Sequence, residues 1–175
     1  MKPKRLPRFL MEVPKPTLSG IGADLHPSGS LRRRATPHDI DGVVALGLRA
    51  LERKPDPRLR VDVDRLRALG LECITGAGNY AYVVEHQGQI VAAVLGLVTD
   101  LMCYRGRGLN VVQFYSEKPG EGTRLLRHML AWARIRPLIR QVVVTMDDDG
   151  DPRTERLLKH LGLKAQAPVY TMTKG

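Results

Sequence analysis

Leu109-Asn-Val-Val-Gln-Phe-Tyr-Ser116, then Glu117-Lys-Pro-Gly-Glu-Gly122, then Thr123-Arg-Leu-Leu-Arg-His-Met-Leu-Ala-Trp-Ala-Arg134 is the stretch from which the architecture is built outward. The first piece is rich in β-branched and aromatic residues and reads as a strand. Pro119 and two glycines break it. In the third piece Leu125, Leu126, Met129, Leu130, Trp132 and Ala133 form an apolar stripe at helical spacing. The junction is therefore strand, Gly-x-Gly turn, helix. Closely spaced glycines let successive backbone N–H groups approach an anion at a helix N-terminus, where the helix dipole favours negative charge.

Downstream, Arg140 to Met146 reads as a buried strand, and the acidic turn Asp147-Asp-Asp-Gly-Asp151 leads through Pro152 into an amphipathic helix from Arg153 to Leu161, closed by Gly162. Ala167 to Met172 reads as a terminal strand. Upstream, Tyr80 to Glu85 and Ile90 to Val98 flank a tight turn around His86-Gln-Gly88-Gln and predict an antiparallel hairpin. Before it, Thr36 is placed to cap a helix, with Pro37 at the first helical position and Asp39 three residues after the cap. Ile40, Val43, Val44, Leu48 and Leu51 carry that helix to about Lys54. A second helix is expected from about Leu59 to Leu69, with Gly70 as its stop. Leu31-Arg-Arg-Arg-Ala35 reads as a short opening strand.

With 175 residues, 43% hydrophobic and 26% charged, the chain fits one domain with a substantial core. No run approaches the ~20 apolar residues needed to cross a bilayer, and the basic N-terminus lacks the apolar stretch of a signal peptide, so a cytoplasmic protein without membrane contact is expected. Cys73 and Cys103 have neither a disulfide framework nor zinc-ligand spacing, and no metal is expected. The net charge of +10 is concentrated at the front. Residues 1–34 hold eight basic and two acidic side chains, a net of +6, against +4 for the remaining 141. The same leader is rich in Pro, Gly and Ser, so residues 1–30 are expected to be an extended basic arm and 31–175 the folded domain.

Over roughly residues 31–173 this order of elements resembles the GNAT acetyltransferase family. Thr36-Pro-His-Asp-Ile-Asp41 looks like its opening helix, and Gly120-Glu-Gly122-Thr-Arg-Leu-Leu126 looks like the second half of its pyrophosphate loop. Arg153-Thr-Glu-Arg-Leu-Leu-Lys-His-Leu-Gly-Leu-Lys164 is similar to its closing helix, with Tyr170 and Met172 on the strand beyond. A second match to the loop, Arg105-Gly-Arg-Gly108, lacks a following helix, and the Gly120 loop is preferred for its context.

The resemblance implies an α/β (α+β) fold with a mixed, mostly antiparallel sheet flanked by helices, and acetyl-CoA as cofactor. It implies that backbone N–H groups of the strand from Val111 to Tyr115 polarise the thioester carbonyl, and that Val111, Val112, Gln113, Lys118, Gly120, Gly122, Thr123 and Arg124 bind the cofactor, the last five around its pyrophosphate. It also exposes departures. Glu117 falls where the loop carries Gln or Arg, Glu121 lies between the glycines, and Leu158 falls where many members have a tyrosine acting as general acid. Lys118, Arg124 and Arg127 are available to offset the carboxylates. Tyr115, Tyr104 or Cys103 would have to supply the acid, and His86, His128 and His160 are expected in packing or surface roles rather than as the base. The four aspartates after Met146 either attract a cationic acceptor or cap the next helix.

Two functions are therefore carried forward. One is acetyl transfer from acetyl-CoA to a primary amine. The other is a GNAT-like interaction or assembly component, for example of a phage virion, using residues 1–34 to bind protein neighbours or, nonspecifically, nucleic acid; its location would then be a viral particle. Sequence-specific nucleic-acid reading has no motif to support it.

Overall fold

A computed structural model describes residues 24–25, 29–53, 55, 59–146 and 152–165. The described strands form one six-stranded sheet in sequence order. They are β1 (Asp24–Leu25), β2 (Ser30–Arg34), β3 (Tyr80–His86), β4 (Gln89–Asp100), β5 (Arg107–Ser116) and β6 (Ile139–Val144). All neighbours pair antiparallel except β5 and β6, which are parallel. A parallel pair requires a crossover, supplied by α3 (Glu121–Arg134). Helices α1 (Ile40–Arg53) and α2 (Val63–Thr75) lie between β2 and β3 in the chain, and α4 (Pro152–His160) follows β6. The mixed, mostly antiparallel sheet flanked by helices is the fold expected from the sequence.

The strand period of two divides the core into two layers. Ala81, Val83, Ala93 and Leu95 pack with Val43, Leu46 and Ile74 of α1 and α2. Tyr80, Tyr82, Val84 and Val94 pack with Leu125, Leu126 and Met129 of α3 and with Leu158 of α4.

The start of α1 follows the sequence closely. Asp39 Oδ2 accepts from the Thr36 backbone N–H at 2.7 Å and from the Thr36 hydroxyl at 2.9 Å. Pro37–Asp39 form a single 3-10 turn that leads into α1. Asp39 also receives both terminal nitrogens of Arg33, at 2.7 and 2.6 Å, and Arg33 reaches Glu85 at 2.8 Å, which ties β2, β3 and the entry to α1 together. The hairpin turn falls at Gln87-Gly88, with φ of 51° and 77°, the left-handed pair that suits tight hairpins.

The second helix differs from expectation. It starts at Val63, because Asp62 accepts from the Arg65 N–H at 2.9 Å as its cap, and it runs through Gly70 to Thr75. Gly70 is a packing residue rather than a stop. A Cβ there would lie 2.8 Å from Ile40 Cδ1, so glycine is what lets α2 approach α1.

Asp24–Leu25 and Ser30, which the sequence assigns to the arm, pair with neighbouring strands. The rest of residues 1–28, the acidic turn 147–151 and the expected strand 167–172 with Tyr170 and Met172 lie outside the described residues.

Candidate functional site

The last strand pairing between β5 and β6 is Val111 with Val144, while β5 continues to Ser116. Beyond Val111, one edge of β5 therefore has no strand against it among the described residues. The residues of this edge line a cleft of about 850 Å³. Val111, Val112, Gln113, Phe114 and Tyr115 form one wall, and Val144, Thr145 and Met146 the opposite one. Lys118, Gly120, Gly122 and Thr123 close one end. Ala50 and Arg53 from α1, with Arg153, Thr154 and Leu157 from α4, complete the lining.

A bulge sets the orientation of this wall. Leu95 pairs with Gln113 and Gly96 with Val111, which leaves Val112 as the extra residue on β5. Leu109 and Val111 pack on the α3 side of the sheet. Without the bulge, Gln113 and Tyr115 would follow them there. With it, Gln113 Nε2 reaches the Val43 carbonyl of α1 at 3.5 Å and Tyr115 packs in the α1–α2 layer. Phe114 turns to the α3 layer instead. Gly96 sits at this bulge, where a Cβ would stand 2.7 Å from Leu109 Cδ1 and 3.3 Å from the Asn110 carbonyl. A glycine inside a strong strand is the signal for such a bulge, and the sequence reading passed over it.

At the end of β5, the Glu117 N–H donates to the Val91 carbonyl at 2.9 Å, and Gly120 caps α3 in the left-handed region with φ of 82°. Nothing lies within 4 Å of a Cβ placed on Gly120, so its outer face is open. Gly122 is different: a Cβ there would be 3.0 Å from Ser116 Cβ and 3.1 Å from a Phe114 ring carbon. The two glycines serve distinct purposes. The first turns the chain, and the second brings the helix start against β5. The first helical bond is from the Arg124 N–H to the Gly120 carbonyl at 3.1 Å, so the N–H groups of Gly122 and Thr123 have no acceptor within the helix.

Both unexpected carboxylates have cationic partners. Arg49 of α1 grips Glu117 at two points, at 2.6 and 3.0 Å. Hydrogen bonding to Arg49 holds the Glu117 carboxyl below the usual range. Glu121 is buried at the first position of α3, with Arg124 Nη1 at 3.4 Å. Arg124 is thus spent on Glu121 and does not line the cleft, while Arg127 points to solvent. Lys118 Nζ donates to Ser30 Oγ at 2.9 Å and lies 3.3 Å from His86 Nδ1.

Of the acid candidates, only Tyr115 is in the cleft. Its Oη is buried and has no hydrogen-bond partner among the described residues, and the Arg53 guanidinium sits 5.4 Å from its ring centre. Tyr104 and Cys103 are exposed on the β4–β5 turn, at the other end of β5. Leu158 is buried in the α3–α4 layer, and its neighbour Leu157 lines the cleft, so α4 brings no hydroxyl to it from either position. His128 accepts or donates at 2.8 Å with the Tyr80 hydroxyl in the core, a packing role. Arg105-Gly-Arg-Gly108 forms the β4–β5 turn and the start of β5, where Arg107 pairs with Asp100 at 3.0 Å, and no helix follows. The described residues include no cluster of side chains able to hold a metal ion.

No family model matches the sequence, and no curated protein does either. Solved structures do match. A protein from Clostridium acetobutylicum, described as a predicted acetyltransferase and solved with acetyl-CoA, superposes with a TM-score of 0.67 at 19% identity, over 82% of this chain and 96% of its own. A transcriptional regulator from Bacillus halodurans gives 0.64 at 22% identity, over 83% and 99%. A ribosomal-protein-alanine N-acetyltransferase from Brucella melitensis gives 0.61 at 16% identity, over 83% and 99%.

Proposed function

We propose, from the premise that the chain has the fold of the GNAT acetyltransferases, that it binds acetyl-CoA in the β5–α3 cleft and transfers the acetyl group to a primary amine. The observation that carries this reading is the open edge of β5 beyond Val111, ending at the unsatisfied N–H groups of Gly122 and Thr123. An extended amide-containing arm fits the first, and a diphosphate fits the second.

The residues present suit that cofactor. Gly120 leaves its outer face clear, Glu117 and Glu121 are offset by Arg49 and Arg124, and Lys118 and Arg153 add positive charge around the opening. Acetyl-CoA, when bound, supplies an acyl group already activated as a thioester. Backbone N–H groups on the free edge of β5 orient and polarise that carbonyl. Tyr115 lines the cleft and its hydroxyl has no hydrogen-bond partner among the described residues, and it is assigned the return of a proton to sulfur. The amine enters from the α1 side, past Ala50 and Arg53, and arrives neutral.

The test is calorimetric titration of the full chain with acetyl-CoA, beside Thr123→Glu. A carboxylate near a helix N-terminus suits the helix dipole, so this variant folds while repelling a diphosphate. Saturable binding near micromolar Kd, about −8 kcal/mol, that is lost in Thr123→Glu supports the reading, and thiol release in an amine screen then identifies the acceptor. No heat at millimolar ligand overturns it and returns attention to the assembly role of residues 1–34.

A further inference from the structure

From Val111, where the cleft begins, β5 runs back about 13 Å, at ~3.3 Å per residue, to Arg107 at the end of the sheet where two turns meet. The β4–β5 turn, residues 101–106, lies beside the α3–β6 turn, residues 135–138. The Arg107 N–H donates to the Leu138 carbonyl at 2.8 Å, and Gly106 has φ of 133° with the Arg140 side chain against it. Four large apolar side chains project from these turns with little cover: Met102 is 100% exposed, Tyr104 78%, Leu138 64% and Ile135 59%. Arg105, Arg134 and Arg140 stand exposed among them, with no acidic partner among the described residues. The local acid, Asp100, is taken by Arg107.

We infer that this end of the molecule docks on an anionic lipid surface, with Met102, Tyr104, Ile135 and Leu138 entering the headgroup boundary and the three arginines lying against lipid phosphates. Charge decides against self-association, because two copies meeting here would oppose unpaired arginines. It also decides for an anionic partner. Nucleic acid would use the arginines but has no place for four aliphatic and aromatic tips. A protein would need a cavity for each side chain, whereas a bilayer accepts projecting turns without one, and tyrosine sits well at headgroup depth. No helix among the described residues is long and apolar enough to cross a membrane, and the contact inferred from these turns is a peripheral one. Neither a spanning segment nor a signal peptide is needed for such a contact, which is why the expectation of no membrane contact did not foresee it. The inference is independent of acetyl transfer.

The experiment uses the full chain with vesicles of phosphatidylcholine alone and of phosphatidylcholine mixed with phosphatidylglycerol. Cys103 is exposed on the turn and Cys73 fully buried, so an environment-sensitive thiol probe reports from the proposed contact alone. Co-sedimentation of unlabelled protein with the anionic vesicles, a blue shift of the probe, and about tenfold weaker binding for Met102→Asp are expected. Arg105→Glu should weaken binding to the anionic vesicles and leave it salt-sensitive. Both substitutions fall on exposed side chains, and unchanged melting checks the fold. Sedimentation that Met102→Asp leaves intact, or a probe that does not shift, overturns the inference and moves the contact to the basic N-terminal residues. Absence of sedimentation, with binding to DNA or to an acidic protein instead, overturns it as well.

Discussion

Arg49 of α1 and Glu117 at the end of β5, 68 residues apart in sequence, form a two-point ion pair with N–O distances of 2.6 and 3.0 Å. The pair places a balanced charge where a lone carboxylate would face a diphosphate, and it clamps α1 to the turn that presents α3.

Arg49→Met should therefore weaken acetyl-CoA binding by about tenfold, and Arg49→Met with Glu117→Gln should recover most of the loss, since the second change removes the uncompensated charge. The pair is partly exposed, so its effect on stability is small, about 0.5 kcal/mol. Calorimetry of the single and double variants checks this; equal losses in both would show that Arg49 acts through shape and not charge.

Tyr115→Phe separates chemistry from folding. Removing a buried hydroxyl without a partner should raise stability by about 1 kcal/mol, seen as a higher Tm. If Tyr115 returns the proton, kcat should fall about 100-fold with acetyl-CoA affinity unchanged. A variant with normal kcat would free Tyr115 from that role.

The two glycines of the turn should respond differently to alanine. At Gly122 the added methyl meets Ser116 and Phe114, and a cost of about 2 kcal/mol is expected from overpacking. At Gly120 the space is open and the cost, about 1 kcal/mol, comes from the left-handed backbone alone. Denaturant melts rank the two, and acetyl-CoA binding should survive better in Gly120→Ala.

Acid stability should depend on Asp39. Hydrogen bonds from Arg33 lower its carboxyl from the ordinary 3.8 to about 2, so its contribution is complete above the unfolded value and is lost as pH falls toward 2. The stability at stake is about 1–2 kcal/mol. Asp39→Asn should lower stability at neutral pH and flatten the pH dependence between about pH 5 and 2. A variant as acid-sensitive as the parent would assign that sensitivity to another carboxylate.

Much of the fold was legible in the sequence because its signals are local. Thr36 and Asp39 make a capping pair within one turn, Gln87-Gly88 is a tight-turn dipeptide, and the stripe from Leu125 to Ala133 has one period. The strand, turn and helix around Gly120 were likewise read correctly, and with them most of one cleft wall. What the chain alone could not supply depends on partners distant in sequence. Gly70 looks like a helix stop until Ile40 of another helix is seen to need the space. Glu117 looks hostile to an anion until Arg49, 68 residues away, reaches it. The face to which Tyr115 points is set by one extra residue, Val112, whose existence depends on how β5 registers against β4. Local propensity and periodicity determine elements and their order; bulge register, charge pairing and the clustering of Met102 with Leu138 are decided only when strands and helices pack, because each is a relation between residues that the chain keeps far apart.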